Sequence, residues 1–355
     1  MDHSDICIAG AGIIGLSLAL ELHHRGAKVT VLDQGEPLAE ASTAAAGMLA
    51  ANDPDNPSEL LPLSELSRDL YPDYLARLFH LSGIAVPFQT NTTLQEIPAH
   101  ALNRSGQLPL VTPEELSSLL PQLTQGARRF ARLDEHSLDP RELAQALVAA
   151  VRSTTIQLIP RTPVRFVRSN AGKIEVHTAD RVLSPASVVD CTGAWGLTQF
   201  PPGHVRAMPR KGQMLAVTLP SSLPLHLVVR TPDLYIVPRT TGPMAGRAII
   251  GATVEDAGFD KKVYPGEIAR LRSRAAELLP GLAQAPEAET WAGLRPGSSD
   301  GLPLLGEVVK NHFVAAGHYR NGILLAPATA QVMAQLLLGE SPRVDLTPFS
   351  PRRKP

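Results

Sequence analysis

The beginning of the chain restricts the fold more than any other part of the sequence. An apolar, β-branched stretch over residues 5–9 runs directly into Gly10-Ala11-Gly12-Ile13-Ile14-Gly15. A helical pattern then covers residues 13–25, and a second apolar stretch over 27–32 ends at Asp33. A strand, a glycine-rich turn, a helix, a second strand and a terminal acid in this order are typical of a dinucleotide-binding βαβ unit. The sequence therefore predicts an α/β fold that begins with a Rossmann-like domain.

The glycines and the acid have separate tasks in such a unit. The glycines allow a tight turn, close approach of the backbone to a pyrophosphate, and close helix–strand packing. The unpaired N–H groups and the dipole at the start of the helix attract phosphates. Asp33 can accept hydrogen bonds from ribose hydroxyls. A carboxylate at this position argues against the 2′-phosphate of NADP, but it does not separate NAD from FAD.

The chain after Asp33 departs from regular strand–helix alternation. Residues 39–50 are mostly small, which suits either close approach to a flat ligand or a tightly packed buried helix. Helical patterns cover 64–82 and 265–279, and helix N-caps are predicted at Thr112, with a capping box, and at Asp139. Strands are predicted over 155–159, 163–168, 173–178, 186–191, 213–219, 225–229, 233–238 and 246–252.

These patterns predict a Rossmann-like cofactor domain interleaved along the chain with a second domain, an antiparallel β-sheet carrying helices. The cofactor domain is assigned residues 1–84, 131–204 and 291–345. The second domain, expected to bind substrate, is assigned residues 85–130 and 205–290, and residues 346–355 are a tail.

Composition excludes several classes of protein. The chain has 355 residues, of which 44% are hydrophobic, so it can fill a substantial core. A net charge of −1 argues against nucleic acid as a partner. The longest apolar run, residues 6–20, is short for a membrane span and has no basic leader before it. Two cysteines, Cys7 and Cys191, predict a reducing, cytoplasmic compartment and inert buried thiols. No metal site is expected.

Three C-terminal stretches make a more specific assignment possible. They are Trp291-Ala292-Gly293-Leu294-Arg295-Pro296-Gly297, Asp300-Gly301-Leu302-Pro303, and the run from Gly317 to Thr329. With the N-terminal fingerprint and residues 44–49, they resemble the flavin-dependent D-amino-acid oxidase superfamily. Within it, the chain is most similar to the glycine oxidases of bacterial thiamine biosynthesis.

The resemblance implies that FAD binds in an extended conformation across both ends of the chain. A helix N-terminus at residues 320–324 would face the flavin, where its N–H groups stabilise the negative charge of the reduced ring. No histidine occurs in 42–47 and no cysteine after residue 191, so non-covalent FAD is expected. The cofactor-binding residues implied are Gly10, Gly12, Ile13, Ile14, Gly15, Asp33, Ser42, Ala45, Ala46, Gly47, Met48, Val164, Gly193, Arg320, Asn321, Gly322, Ile323 and Leu324.

The resemblance also implies a catalytic set. Arg295 would bind the substrate carboxylate through its planar fork, Tyr235 would support that carboxylate, and Arg320 would lie near flavin and substrate. His318 is interpreted as a packed histidine and not as a base. Val254 stands where the glycine-oxidase pattern often has methionine, which leaves the shape of the substrate pocket open.

The function implied is oxidative deamination of glycine, small amines such as sarcosine, and small D-amino acids by hydride transfer to flavin N5. Molecular oxygen would reoxidise the flavin and release hydrogen peroxide. Two alternatives stay open: a D-amino-acid dehydrogenase that reduces a quinone, and a flavin-binding subunit without turnover. An NAD dehydrogenase is disfavoured by the long interruption after Asp33. The sequence leaves the oligomeric state open, with a homo-oligomer among the alternatives.

Overall fold

The computed structural model describes residues 5–98, 109–170, 173–196 and 205–354. The helices are α1 (Ile13–His24), α2 (Ala41–Ala44), α3 (Leu61–Ser82), α4 (Pro113–Leu119), α5 (Pro140–Arg152), α6 (Pro265–Leu278) and α7 (Gly322–Leu337). The strands are β1 (Ile6–Ala9), β2 (Val29–Leu32), β3 (Phe88–Thr90), β4 (Thr93–Glu96), β5 (Phe130–Leu133), β6 (Ser137–Leu138), β7 (Gln157–Ile159), β8 (Phe166–Asn170), β9 (Lys173–His177), β10 (Val182–Leu183), β11 (Ser187–Asp190), β12 (Met208–Thr218), β13 (Val228–Arg230), β14 (Tyr235–Arg239), β15 (Arg247–Gly251), β16 (Glu287–Gly297), β17 (Leu304–Val309) and β18 (His312–Ala316).

The N-terminal βαβ unit builds the centre of a six-stranded sheet in the order β17-β18-β11-β1-β2-β7. Strands β18, β11, β1, β2 and β7 are parallel, and β17 is antiparallel to β18. Because β1 and β11 are buried on both sides, their apolar residues do not alternate with polar ones. The predicted Rossmann-like, mixed α/β architecture is confirmed.

Two layers cover the six-stranded sheet. Helices α1, α3, α5 and α7 pack against one another in a large apolar core on one face. The antiparallel strands β8, β9 and β10 cover the other face, where Ile174 and Val176 pack on Cys7 and Val188. Both cysteines are buried, and burial raises the pKa of the Cys7 thiol to about 12.

A seven-stranded sheet forms the second half of the molecule, in the order β16-β12-β15-β14-β13-β4-β5. The antiparallel sheet predicted here requires one correction, because β13 runs parallel to β4. The chain reaches β4 more than a hundred residues before β13, so no hairpin constrains the direction of this pair. The motif residues 291–297 lie in β16, an edge strand, and such a strand tolerates Pro296.

The two faces of this sheet have different tasks, because successive side chains of a strand point to opposite sides. One face packs on α6 through an apolar cluster that includes Leu215, Ile236 and Ile250. On the opposite face, register places one residue from each strand in a continuous row. That row is Trp291, Met214, Gly251, Tyr235, Arg230, Gln95 and Ala131.

Local signals in the sequence agree with several helix boundaries. Thr112 and Glu115 form the predicted capping box, and the Asp139 side chain accepts a hydrogen bond from the Arg141 N–H. The small-residue segment 39–50 is helical only over Ala41–Ala44. A buried helix therefore accounts for little of this segment.

The interleaved division of the chain into a cofactor and a substrate domain stays a proposal. Sheet membership places residues 131–133 and 291–297 with the seven-stranded sheet, so the proposed boundaries would move to the ends of β5 and β16. Residues 1–4, 99–108, 171–172, 197–204 and 355 of the assigned ranges lie outside the described residues.

None of the helices among the described residues combines the length and the apolar character that a membrane crossing requires. Within the same ranges, no three potential metal-binding side chains of His, Cys, Asp or Glu come together.

Candidate active site

A cavity of about 570 Å³ lies between the two large sheets. On one side are the carboxyl ends of β1, β2, β11 and β18, and on the other is the face of the seven-stranded sheet that carries Met214 and Tyr235. Its size falls within the range of small-molecule sites, and the carboxyl ends of parallel strands are where such sheets bind ligands. The residues proposed from the sequence that line it are Gly10, Gly12, Ile13, Ile14, Asp33, Ser42, Ala45, Ala46, Gly47, Met48, Val164, Gly193, Tyr235, Arg295, Arg320, Asn321, Gly322 and Ile323.

Two of the residues proposed for the cofactor lie behind the cavity wall. A Cβ at Gly15 would lie 2.0 Å from the Gly10 carbonyl oxygen, so Gly15 serves the packing of α1 on the turn. Leu324 is buried, and its carbonyl accepts a hydrogen bond from the Ser67 hydroxyl at 2.6 Å. Val254 is 60% exposed and does not line the cavity, so the missing methionine does not reshape its wall.

Asp33 and Ser42 hold the glycine-rich turn as well as facing the cavity. Asp33 Oδ2 accepts a hydrogen bond from the Ala11 N–H at 2.6 Å, and Oδ1 accepts one from Gly35 at 2.7 Å. Ser42 Oγ accepts a hydrogen bond from the Ile13 N–H at 2.9 Å. Each carboxylate oxygen keeps a second lone pair for a ribose hydroxyl, and the serine hydroxyl can still donate to a phosphate.

The seven-stranded sheet fixes the small-residue segment from the other side of the cavity. Trp291 Nε1 donates to the Ala44 carbonyl at 3.0 Å, and Arg239 Nη2 donates to the Ala46 carbonyl at 2.9 Å. A Cβ at Gly293 would lie 2.6 Å from the Cβ of Ala44. Small side chains at both positions therefore let the two halves of the molecule approach closely.

Arg295 presents a guanidinium group across the backbone of β12. Its Nη1 donates to the carbonyl of Thr253 at 3.1 Å and to that of Lys211 at 3.4 Å. A Cβ at Gly212 would lie 2.2–2.5 Å from the guanidinium atoms. The missing side chain at Gly212 is therefore the reason that Arg295 can lie flat at the cavity wall.

Tyr235 lies in the same wall, and burial keeps its hydroxyl in the protonated form. Burial raises the pKa of its hydroxyl above the usual value, although Arg295 and Arg320 oppose this effect. In register with it, Gly251 leaves space for the ring, since a Cβ there would lie 2.6 Å from Tyr235 Oη. A neutral tyrosine beside a guanidinium can donate to a carboxylate that the arginine binds.

Arg320 belongs to a short turn that leads into α7. Tyr319, with a φ of +47°, Arg320 and Asn321 form one turn of 3₁₀ helix before Gly322. Arg320 Nη1 lies 3.8 Å from Asp55 Oδ2, and Asn321 Nδ2 donates to Asn56 Oδ1 at 2.9 Å. The first turn of α7 is thereby fixed with its N-terminal end at the cavity.

A proline in α7 explains how this helix is held. Pro327 has no N–H, so the carbonyl of Ile323, four residues earlier, lacks its helical partner. The Tyr71 hydroxyl of α3 donates to that carbonyl. Ser67 donates to the Leu324 carbonyl and accepts from the Ala328 N–H. Helix α3 thus replaces the hydrogen bonds that the proline disturbs.

His318 is a packed histidine. Its Nε2 lies 3.1 Å from Thr329 Oγ1, and burial lowers the pKa of the ring to about 3. The imidazole is therefore neutral at physiological pH and a weak base, in agreement with its interpretation from the sequence.

The segment Thr253–Tyr264, here called the strap, connects β15 to α6 beside the cavity. Lys261 Nζ lies 3.0 Å from Glu40 Oε1, and the Phe259 ring lies 5.9 Å from the Trp195 ring. Glu40 and Trp195 both line the cavity. The strap therefore reaches from the seven-stranded sheet to the side of the cavity that carries the glycine-rich turn.

Several residues at the cavity were not singled out in the sequence. They are Glu40, Asp53, Arg165, Trp195, Gly212 and Met214. Gly212 lies inside β12, where a glycine often marks a close approach, but the strand predicted from the sequence begins only at residue 213. The others carried no individual signal, because a position at the cavity depends on how distant segments pack together.

The FAD-dependent oxidoreductase family named DAO matches residues 5–336. The chain belongs to this family of FAD-dependent oxidoreductases, and it is an enzyme of the amino-acid oxidase type. The cavity fits the cofactor: a turn and a helix N-terminus suited to phosphates, an acid for a ribose, a wall of small residues, and open space beside Gly193. The predictions of an FAD-binding enzyme and of its family are confirmed.

The chain is similar to the glycine oxidase of Geobacillus kaustophilus, with 33% identity over 98% of this chain and 96% of the relative. It is 35% identical to the bifunctional protein ThiO/ThiG of Trichormus variabilis over 94% of its length, and it spans 52% of that longer protein. A crystal structure of the Geobacillus kaustophilus glycine oxidase superposes with a TM-score of 0.91 over 100% of both chains, at 32% identity.

Proposed function

We propose that this enzyme oxidises glycine, small amines such as sarcosine, and small D-amino acids, giving a 2-oxo acid, ammonia or an amine, and hydrogen peroxide. One observation carries the proposal: Arg295 and Tyr235 line the same cavity as the N-terminal residues of α7, and a guanidinium with a neighbouring hydroxyl can bind a carboxylate. The similarity to glycine oxidases over nearly the whole chain supports it.

The charges in the cavity favour a small carboxylate substrate. The Nη1 of Arg295 donates to two backbone carbonyls, the guanidinium is also hydrogen-bonded to the Tyr235 side chain, and both residues line the cavity. A planar guanidinium binds a carboxylate through two parallel hydrogen bonds, and the Tyr235 hydroxyl adds a third donor. Arg320, proposed to lie near flavin and substrate, adds a second positive charge. Such an arrangement orients the Cα–H bond of an amino acid, and orientation supplies much of the rate in reactions of this kind.

Bound FAD would supply the hydride acceptor, flavin N5, and transfer the electrons to molecular oxygen. Residues of the glycine-rich turn, Asp33 and the segment 42–48 would hold its adenosine and pyrophosphate, with Val164 at the adenine. The N-terminal N–H groups at 322–324 would stabilise negative charge that develops at the end of the ring. The proposed residues thus bind, orient and stabilise, and none of them has to remove a proton.

The absence of a base from the proposed set has a physical consequence. His318 is neutral and its hydrogen bond to Thr329 holds it inside the protein, while Tyr235 keeps its proton. The substrate amine must therefore lose its proton before or during binding. We further propose a cytoplasmic enzyme, since both cysteines are buried thiols, and a role in thiamine biosynthesis or amino-acid catabolism.

Anaerobic mixing of the yellow, FAD-bound protein with glycine, sarcosine, D-alanine and D-proline tests the proposal. The flavin absorbance band should bleach with at least one of these substrates, and the rates rank them. Admission of air should restore the band and release one hydrogen peroxide per turnover. L-alanine serves as the control. With its carboxylate and amine bound in the same places, its Cα–H bond would point away from the flavin, so it should not bleach the band.

The same experiment separates the competing functions. Bleaching followed by slow reoxidation in air, and by fast reoxidation with a soluble quinone, would identify a dehydrogenase. If none of the four substrates bleaches the flavin, amine oxidation is the wrong reaction, and a flavin-binding subunit without turnover becomes the better interpretation.

A further inference from the structure

Lys211, in β12, is a fully buried cation that the proposed reaction does not use. Its side chain is 0% exposed, and its Nζ lies 2.8 Å from Asp260 Oδ2 and 3.9 Å from Glu255 Oε2. The ammonium also lies 4.4 Å from the centre of the Tyr264 ring. Lysine is almost never fully buried unless it is paired, and all three partners here belong to the strap.

The backbone and Gln213 tie the strap to the same short stretch of β12. Lys211 and Glu255 exchange two backbone hydrogen bonds, at 3.0 and 2.9 Å. The Gln213 N–H donates to Thr253 Oγ1 at 2.8 Å, and Gln213 Oε1 accepts from the Tyr264 N–H at 2.6 Å. Both ends of the strap are therefore held by the two residues that flank Gly212.

This stretch of β12 and the strap together hold Arg295. One Nη of the guanidinium donates to the carbonyls of Lys211 and Thr253, and the guanidinium occupies the space where a Cβ of residue 212 would lie. Thr253 is the first residue of the strap and is hydrogen-bonded to Gln213, so the position of its carbonyl depends on how the strap packs against β12. The buried ammonium is thus connected to the guanidinium through one carbonyl of its own residue and one of the strap.

We propose that Lys211 is a positioning residue for substrate binding: it fixes the strap against β12 and thereby holds Arg295 in the orientation that binds a carboxylate. The inference rests on the proposed role of Arg295. Lys211 lies outside the cavity, so its loss should lower the affinity for a carboxylate. It should not change the rate of hydride transfer from a substrate that is already bound.

The test uses the FAD-bound enzyme and acetate, a carboxylate with no amine to oxidise. Acetate binding is followed through the change in flavin absorbance, so its Kd needs no turnover. Lys211→Met removes the charge and keeps the apolar stem, and Lys211→Arg restores a charge. Lys262→Met is the matched control, because Lys262 is an exposed lysine of the same strap. KM and kcat are measured with the best substrate from the bleaching experiment.

Lys211→Met should raise both the Kd of acetate and KM by about 10- to 100-fold, because a displaced binding group costs this much. In the same variant, kcat should change by less than about threefold. A raised KM with a nearly constant kcat indicates the loss of an interaction that is equally strong in the ground state and the transition state. Lys211→Arg should recover part of the affinity, and Lys262→Met should match the wild type. In an Arg295→Ala background, Lys211→Met should cause no further loss, since both changes act through one group.

An unchanged Kd for acetate in a folded, FAD-bound Lys211→Met enzyme would overturn the inference. An equal further loss in the Arg295→Ala background would do the same. If Lys211→Met does not retain FAD, Asp260→Asn removes the nearest partner of the ammonium and is judged by the same outcomes. If no amine is oxidised but acetate affinity still falls in the variant, the proposed reaction is wrong and the positioning role of Lys211 stands.

Discussion

At the residue scale, the structure explains why two strands of the seven-stranded sheet contain a glycine, one inside β12 and one at the end of β15. Gly212 and Gly251 are not in the left-handed region, so their role is space and not backbone conformation. The volume beside Gly212 is taken by the guanidinium of Arg295, and that beside Gly251 by the ring and hydroxyl of Tyr235. The two groups proposed to bind the carboxylate thus each depend on a missing side chain in the neighbouring strand.

Gly212→Ala should weaken substrate binding without loss of FAD. The new Cβ would lie 2.2–2.5 Å from the guanidinium atoms, so Arg295 must move. We expect KM to rise by about 10- to 100-fold. The measurement is steady-state kinetics on protein whose flavin content has been checked.

Gly266→Ala is the control for this change. A Cβ at Gly266, in the first turn of α6, would meet no atom within 4 Å, so KM should stay at the wild-type value. A Gly212→Ala enzyme with normal KM would show that Arg295 does not bind the substrate in the orientation described.

At the element scale, the position of α7 depends on α3. Pro327 removes a hydrogen bond from the first turns of α7, and Tyr71 and Ser67 supply the replacements from a neighbouring helix. A helix N-terminus stabilises a ligand only if its N–H groups are held in place before the ligand binds. The contact between α3 and α7 is therefore a support of the proposed flavin site.

Tyr71→Phe should lower the free energy of unfolding by about 1–3 kcal/mol, because it leaves the buried Ile323 carbonyl without a donor. The same change should weaken FAD binding, since Ile323 belongs to the turn that faces the cavity. Urea unfolding and titration of the apoprotein with FAD measure the two effects.

Tyr74→Phe offers a comparison within the same helix. The Tyr74 hydroxyl bonds to Ser17 in α1, at 2.8 Å, and touches no part of α7 through that bond. It should lower stability to a similar extent while FAD affinity stays near the wild-type value. Equal losses of FAD affinity in both variants would mean that general destabilisation, and not the support of α7, is responsible.

At the scale of the whole molecule, the cavity lies between two sheets, and specific polar contacts beside it join the two halves. Arg141 forms a bidentate salt bridge with Glu289 of β16, in which both N–O distances are 2.8 Å. Trp291 and Arg239 reach the small-residue segment from the same side. A ligand that fills the cavity would add contacts to both halves, so binding of FAD and global stability should be coupled.

The flavin should be fully released by acid precipitation. No histidine occurs in residues 42–47 and no cysteine follows residue 191, so no side chain is expected at the positions where related enzymes attach flavin covalently. The Tm of the refolded apoprotein should rise with FAD concentration, since a ligand present at 1,000 times its Kd adds about 4.1 kcal/mol of stability. Absorbance of the acid supernatant and thermal unfolding at several FAD concentrations measure these outcomes. Yellow colour retained by the precipitate, or a Tm independent of FAD, would contradict non-covalent binding in this cavity.

Much of the fold could be predicted from local patterns. The glycine-rich turn, the caps at Thr112 and Asp139, and the position of α6 follow from residues close together in the sequence. The parallel pairing of β13 with β4 could not be predicted, because it joins segments far apart with no turn between them. That residues 291–297 lie in an edge strand could not be predicted for the same reason, because the partner strand β12 lies about eighty residues earlier in the chain.

The sequence by itself determined the class of cofactor unit and the residue types that a carboxylate site needs, because fingerprint and motif residues are read without knowledge of their neighbours. Only the tertiary structure decided how Arg295 is held. Its support comes from Lys211, Gly212 and Thr253 of the strap, which are 42 to 84 residues away along the chain. Sequence patterns describe the periodicity of single elements, whereas the orientation of a side chain depends on space and hydrogen-bond acceptors that other elements provide.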